Sequence, residues 1–243
     1  MNQNTSKTVL ILGANSDVAK QCIIQYIQKG FSVIAASRNT ASLDGLVSAN
    51  NLHSKVTVLH FDAVDFDSHR KFYDELPVKP HTVVYAAGFL VDNERALKDF
   101  KDTQQMMMVN YMGAVSILNI IATDEGNKSL ERIIGLSSLS GVRGRKSNFV
   151  YGSTKAAFTT YLAGLRQELA SRNIKVNALV IGYIRTKINE GLQLNESLIM
   201  EPDYVAEFIV NAGNSFTIVP NFKWKLIYLI LKVLPENLVA KLP

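Results

Sequence analysis

Apolar residues rich in β-branched side chains recur along the chain in short unbroken runs: TVLIL at 8–12, SVIAA at 32–36, KVTVLH at 55–60, TVVYAA at 82–87, ERIIGLSS at 131–138 and IKVNALVIG at 174–182. Runs of this length predict strands buried on both faces. Between them lie longer segments, roughly 16–29, 39–49, 66–76, 94–123 and 149–172, whose apolar positions repeat at helical spacing. Strict alternation of strand and helix implies right-handed crossovers, a parallel sheet and helices on both faces. No Pro- or Gly-rich linker divides the pattern and no internal repeat is visible. The expected fold is therefore a single α/β doubly wound domain over 7–220, with 221–243 as an appended segment.

Composition narrows this picture. With 243 residues and 47% hydrophobic content, the chain can bury a large core. Cys22 is the single cysteine and falls in a helical stretch, so it reads as a core residue and no intrachain disulfide is expected. The opening MNQNTSK carries no apolar signal region, from which a cytoplasmic location is expected. A net charge of +5 is spread along the chain without any nucleic-acid motif; it suits an anionic cofactor or a membrane surface. His53, His60, His69 and His81 lack zinc spacing. Asp62, Asp65 and Asp67 lack the glycine and glutamate of a calcium loop, so no metal site is expected. The MMM run at 106–108 reads as core filling.

The first strand-to-helix turn, Gly13-Ala14-Asn15-Ser16-Asp17-Val18-Ala19, lies where a doubly wound fold holds a dinucleotide pyrophosphate against a helix N-terminus. It equally describes an ordinary turn with Ser16 as N-cap. At the end of the second strand, Ser37 and Arg38 stand where an NAD-preferring site places an acidic residue. A hydroxyl and a guanidinium suit a 2′-phosphate, so NADP(H) is favoured over NAD(H), although an arginine here is also compatible with simple solvation. Asp62 and Ala63 follow the third strand, and Ala86, Ala87 and Gly88 end the fourth, at the carboxyl ends where such sheets bind ligands.

The fifth strand closes with Ser138, thirteen residues before Tyr151. Tyr151 and Lys155 are four apart at the head of a helical segment, which places phenol and ammonium on one face and makes the phenol an acid usable near neutral pH. Asn110 sits inside the long segment before that strand, where an asparagine disturbs helix bonding and frees a backbone carbonyl for water. With these residues the chain resembles the short-chain dehydrogenase/reductase family over residues 8 to about 220. The resemblance implies that Tyr151 is the general acid/base, that Ser138 polarises the substrate carbonyl, that Lys155 lowers the tyrosine pKa and binds the nicotinamide ribose, and that Asn110 holds the water of a proton relay. It also implies cofactor contacts from Gly13, Asn15, Ser16, Asp17 and Val18, and from Gly182, Ile184 and Thr186 after the sixth strand. A small-molecule carbonyl or alcohol substrate and a homo-oligomer are expected with it.

The chain departs from the family pattern in its glycines: Asp17 and Ala19 replace the second and third of the usual trio, and Ile181-Gly182 replaces Pro-Gly. The Ser-Asp-Val turn is similar to that of a branch acting on sugars, which includes decaprenylphosphoryl-2-keto-ribose reductases. A keto-sugar, lipid-linked or not, is thus the first substrate expectation. A hydrophobic ketone, 3-ketoacyl or steroid-like, is the second; a dinucleotide sensor without turnover is the alternative outside enzymes. Residues 187–203, with Gly191, Leu192, Leu194, Leu198 and Ile199, fall where a substrate lid is expected, and Val142 to Phe149 also bear on substrate identity. In the tail, Lys223, Lys225, Lys232 and Lys241 lie among Trp224, Tyr228 and many Leu and Ile. Its apolar stretches are far shorter than the ~20 residues a bilayer span needs. Either a helix in an anionic membrane interface, or a helix covering the core or making a dimer contact, is expected.

Overall fold

In the computed structural model, which describes residues 6–186 and 195–241, the strands are β1 (Thr8–Leu12), β2 (Ser32–Ser37), β3 (Val56–His60), β4 (Thr82–Tyr85), β5 (Arg132–Ser138), β6 (Lys175–Ile181) and β7 (Thr217–Ile218). They form one parallel sheet in the order β3-β2-β1-β4-β5-β6-β7. The helices are α1 (Asp17–Gln28), α2 (Thr40–Ala49), α3 (Ser68–Asp74), α4 (Asn93–Lys98), α5 (Phe100–Met107), α6 (Gly113–Ala122), α7 (Phe149–Glu168), α8 (Pro202–Val210), α9 (Phe222–Val233) and α10 (Glu236–Val239).

Both sheet faces are covered, which is why the central strands run apolar without alternation. Along β1, Val9 and Ile11 join the core under α1, α2, α8 and α9, while Leu10 and Leu12 join the core under α3, α6 and α7. Strand order reverses between β1 and its neighbours β2 and β4, so connections leave the sheet in opposite directions and open a crevice at the carboxyl ends. Cys22 is fully buried in α1, where burial pushes its thiol pKa up.

Three boundaries differ from the sequence pattern. The helix expected over 94–123 is broken: Asp99 leaves helical geometry (φ −122°, ψ 106°) and its carboxylate accepts from Lys101 N at 2.9 Å to start α5. The stretch then winds through a π-helical turn, Met108–Met112, before α6. Phe100–Ala122 is long and apolar enough to cross a membrane by composition, but it is half buried and packs among α3 and α7 as a core helix. The fourth strand stops at Tyr85, although Ala86 N still donates to Leu12 O at 2.8 Å. Finally, α8 and the short β7 were not legible as elements; α8 packs Val205, Ala206 and Ile209 against α1.

The tail folds back onto the carboxyl ends of the sheet. Trp224 and Leu231 are buried, and the Trp224 indole donates to Leu198 O at 2.7 Å and meets Tyr183 edge-on at 5.3 Å. Arg143 donates Nε to Leu231 O and Nη2 to Lys232 O, both at 3.0 Å, which satisfies carbonyls at the end of α9. The opposite side of α9 exposes Phe222, Leu226, Leu229, Ile230 and Val233. Of the expected lid, 187–194, including Gly191, Leu192 and Leu194, lies outside the described residues. Residues 195–203 hold a short 3-10 turn (Glu196–Leu198) and a bridge from Met200 to Ile184.

Candidate active site

A cavity of about 760 Å³ occupies the crevice. Its wall includes Asn15, Ser16, Asp17, Val18, Ala86, Gly88, Gly182, Ile184 and Thr186 together with Ser138, Tyr151 and Lys155. These residues come from the four segments that follow β1, β4, β5 and β6, gathered at the carboxyl end of the sheet.

At the β1–α1 turn, Gly13 has φ +82°, and a Cβ there would stand 2.3 Å from Ala87 N. Only glycine lets this turn pass so close to the end of β4. Ser16 caps α1, its Oγ accepting from Ala19 N at 3.1 Å, and Asp17 follows in the first turn, where the helix dipole favours a carboxylate. Asn15 Nδ2 donates to Ser37 Oγ at 2.8 Å and to Asn39 O at 2.6 Å, tying the turn to the end of β2; its Oδ1 is buried without a partner.

Ser37, Arg38, Asp62, Ala63, Ala87 and Asn110 stand outside the cavity wall. Ser37 is buried beside Asn15, and Arg38 is exposed next to it. Asp62 Oδ1 accepts from Val64 N at 3.1 Å, and Ala63 O lies against Gly113 at the head of α6. His69, passed over in the sequence as lacking zinc spacing, is fully buried and braces this turn: Nε2 bonds Asp62 O at 2.9 Å and Nδ1 bonds Ser116 Oγ at 2.8 Å. Its signal was a histidine on the core side of a short helix, indistinguishable in sequence from a surface one.

Around Tyr151 the geometry is tight. Ser138 and Tyr151 stand together on the cavity wall, the Ser138 hydroxyl near enough to the phenol to act on its pKa. Ser138 Oγ accepts from Ser140 N at 3.1 Å. Lys155 is buried with Nζ donating to Leu136 O at 2.9 Å and lying 5.8 Å from the centre of the Tyr151 ring. Burial pushes the Tyr151 phenol up to about 12, with the Ser138 hydroxyl pulling in the opposite direction. Burial pushes the Lys155 ammonium down to about 8. The expectation that Lys155 lowers the phenol pKa therefore does not hold for this arrangement: desolvation dominates, and the ammonium bonds a backbone carbonyl.

Asn110 lies at the centre of the π-helical turn, and its side chain acts as a peptide would. Oδ1 accepts from Phe89 N at 2.7 Å, and Nδ2 donates to Phe89 O at 2.9 Å and to Thr154 Oγ1 at 3.1 Å. Thr154 in turn donates to Tyr151 O at 2.7 Å, so the loop after β4 is clamped to α7. A Cβ on Gly88 would lie 3.7 Å from Asn110 Oδ1 and 3.9 Å from Lys155 Nζ, which brings the three together at one point.

The sequence did not single out Leu90, Val91, Ile227 and Leu231 as wall residues, whereas Arg145 and Asn148 fall within 142–149, which it named only as a segment bearing on substrate identity. Trp224 was singled out only as part of the tail, yet it covers Gly182: a Cβ there would lie 2.1 Å from the indole. Helical spacing within α9 marked an apolar face, but nothing local to it pointed to Gly182.

A family model described as short chain dehydrogenase matches residues 7–197. An uncharacterised oxidoreductase of Mycobacterium tuberculosis is 26% identical over 251 residues, covering 100% of both chains. A 3-oxoacyl-[acyl-carrier-protein] reductase of Thermotoga maritima is 28% identical over 190 residues, 76% of this chain and 77% of its own. Among solved structures, a short-chain dehydrogenase from Burkholderia cenocepacia in complex with NADP superposes with TM-score 0.82 at 17% identity, covering 96% of this chain and 95% of that one. ElxO with NADP bound gives TM-score 0.78 at 20% identity, covering 91% and 100%. The chain belongs to the short-chain dehydrogenase family and is an NAD(P)-dependent oxidoreductase.

Proposed function

We propose that the chain interconverts a ketone and a secondary alcohol with NADP(H). The observation that carries this reading is the grouping of Ser138, Tyr151 and Lys155 on the wall of one cavity large enough for a nicotinamide and a substrate. The residues present fit a dinucleotide: Gly13 clears the turn of side chain, Ser16 opens a helix N-terminus, and Asn15 Oδ1 is a buried acceptor without a partner. When bound, the nicotinamide supplies or takes up a hydride. Ser37 and Arg38, in place of a carboxylate, support the 2′-phosphorylated form, as do the NADP-bound Burkholderia and ElxO structures.

Tyr151 is the acid. With its phenol held near 12 it enters a reduction protonated and gives that proton to the carbonyl oxygen as charge develops there. Ser138 hydrogen-bonds the same oxygen and aligns it. Lys155, largely charged at neutral pH, places a cation beside the forming phenolate and begins the route by which the proton returns. Asn110 keeps these groups in register by clamping Phe89 to Thr154, and the π-helical turn around it is the proposed path of the relay toward solvent.

Two substrate classes follow from different features. The Ser16-Asp17-Val18 turn supports a keto-sugar, whereas Leu90, Val91, Trp224, Ile227 and Leu231 on the cavity wall support a hydrophobic ketone, which is the class the cavity favours. The exposed apolar side of α9, flanked by Lys225 and Lys232, supports peripheral contact with an anionic membrane. Self-association is proposed from family membership alone. The test follows NADPH oxidation by absorbance against hydrophobic ketones and keto-sugars, for wild type and Tyr151→Phe. Turnover that falls by about 10²-fold or more in the variant, with NADPH binding retained, is expected. Equal behaviour of the two proteins would leave a nucleotide sensor instead.

A further inference from the structure

Several arginines of this molecule are committed to contacts within the fold. Arg143 bonds two carbonyls at the end of α9, Arg185 pairs with Glu196 and Glu201, and Arg95 pairs with Asp102. Arg145 is different. It lies in the connection between β5 and α7, on the wall that also carries Ser138 and Tyr151, and no carboxylate among the described residues pairs with it. Its Nε is buried without a hydrogen-bond partner, and Nη2 makes one long contact, 3.5 Å, to Ser140 Oγ. Asn148 shares that hydroxyl, donating Nδ2 to Ser140 Oγ at 2.8 Å, and its Oδ1 is likewise buried and unpartnered.

A buried guanidinium nitrogen with an idle donor is costly unless something in the site repays it. The same connection is rigidly held: Asn93 Nδ2 donates to Lys146 O at 3.3 Å, Asn93 Oδ1 accepts from Val150 N at 3.2 Å, and Arg143 anchors it to α9. Arg145 is thus presented on a fixed scaffold. The other cation on the described wall, Lys155, is committed to Leu136 O. Of the wall carboxylates, Asp92 Oδ1 accepts from Arg95 N at the head of α4 at 2.8 Å.

We infer that Arg145, oriented with Asn148 by Ser140, is an anion subsite on the substrate side of the cavity, so that the ketone carries a carboxylate or phosphate on an otherwise apolar frame. The guanidinium takes the anionic oxygens, and Asn148 Oδ1 accepts from a hydroxyl or N–H of the same ligand. The apolar residues of α9 then cover the carbon skeleton. This inference rests on the ketone-reductase reading for its catalytic readout, but not for its binding readout.

The test pairs each acid with its ester: 4-acetylbenzoate with methyl 4-acetylbenzoate, and levulinate with methyl levulinate. NADPH-dependent kcat/KM is measured for wild type, Arg145→Gln and Arg145→Lys, and calorimetry measures binding of the same probes to the NADP⁺-loaded protein. A charge-assisted contact predicts that the acid-to-ester ratio falls about 10- to 100-fold in Arg145→Gln, chiefly through KM, and partly recovers in Arg145→Lys. A structural arginine would change acid and ester alike. An unchanged ratio in Arg145→Gln, or wild type binding acids no more tightly than esters, overturns the subsite. If no probe turns over yet acids bind preferentially and lose that preference in Arg145→Gln, the subsite stands and the ketone-reductase reading fails.

Discussion

Gly182→Ala tests whether the tail is part of the active-site wall. The added methyl would lie 2.1 Å from the Trp224 indole, so the ring must retreat by about 1.3 Å to reach the 3.4 Å of ordinary contact. It cannot do so and keep its 2.7 Å bond to Leu198 O and its edge-on contact with Tyr183. Overpacking of this kind costs about 1–3 kcal/mol, to which the lost indole hydrogen bond contributes about 1 kcal/mol. Trp224 is the single tryptophan, so its emission reports this contact directly. In nucleotide-free protein, Gly182→Ala is expected to red-shift the emission as the indole meets water, and to lower the urea midpoint followed by fluorescence. Gly164→Ala is the control: this glycine lies inside α7 with nothing within 4 Å of an added Cβ, so the substitution is expected to stabilise by about 0.5–1 kcal/mol. Unchanged emission and stability in Gly182→Ala would refute the packing of α9 on the sheet and with it the apolar wall.

Two further outcomes follow. Burial holds the folded Lys155 ammonium at about 8, below its ordinary 10.5, so it is charged below that pH and neutral above. Reduction that needs the charge is expected to be fully active below about 8 and to decline as pH rises through it, and a pH profile of kcat/KM that is flat from 6 to about 10 would contradict this. On the outer side of α9, Phe222 and Val233 are each 79% exposed; if they meet lipid, replacing both with Asp abolishes co-flotation with anionic liposomes. Wild-type protein that stays at the bottom of the gradient would end that proposal.

The proposed catalytic group was legible in the sequence because its spacing is local. Tyr151 and Lys155 share a face of any helix, and Ser138 ends a run whose length and apolarity make a buried strand. Asn110 was marked as a disturbance of its helix, and a π-helical turn is found there, but its partners Phe89 and Thr154 belong to two other connections. The break at Asp99 escaped notice because an aspartate between apolar helical turns looks like any solvated position until its side chain is seen capping Lys101 N.

What the sequence by itself determined was the alternation of elements, the parallel doubly wound architecture and the grouping of the side chains proposed to react, since periods of 2 and 3.6 and a spacing of four are set by backbone geometry alone. Tertiary structure decided what surrounds them. Arg143 and Arg145 are the same residue type two positions apart, yet one closes the end of α9 and the other stands on the cavity wall with no carboxylate partner among the described residues. Trp224 belongs to a tail whose pattern suited a membrane surface as well as a core, and it came to rest on Gly182. Contacts between distant segments depend on how whole layers pack, and no local pattern of apolar and polar residues encodes which side chain a given helix will meet.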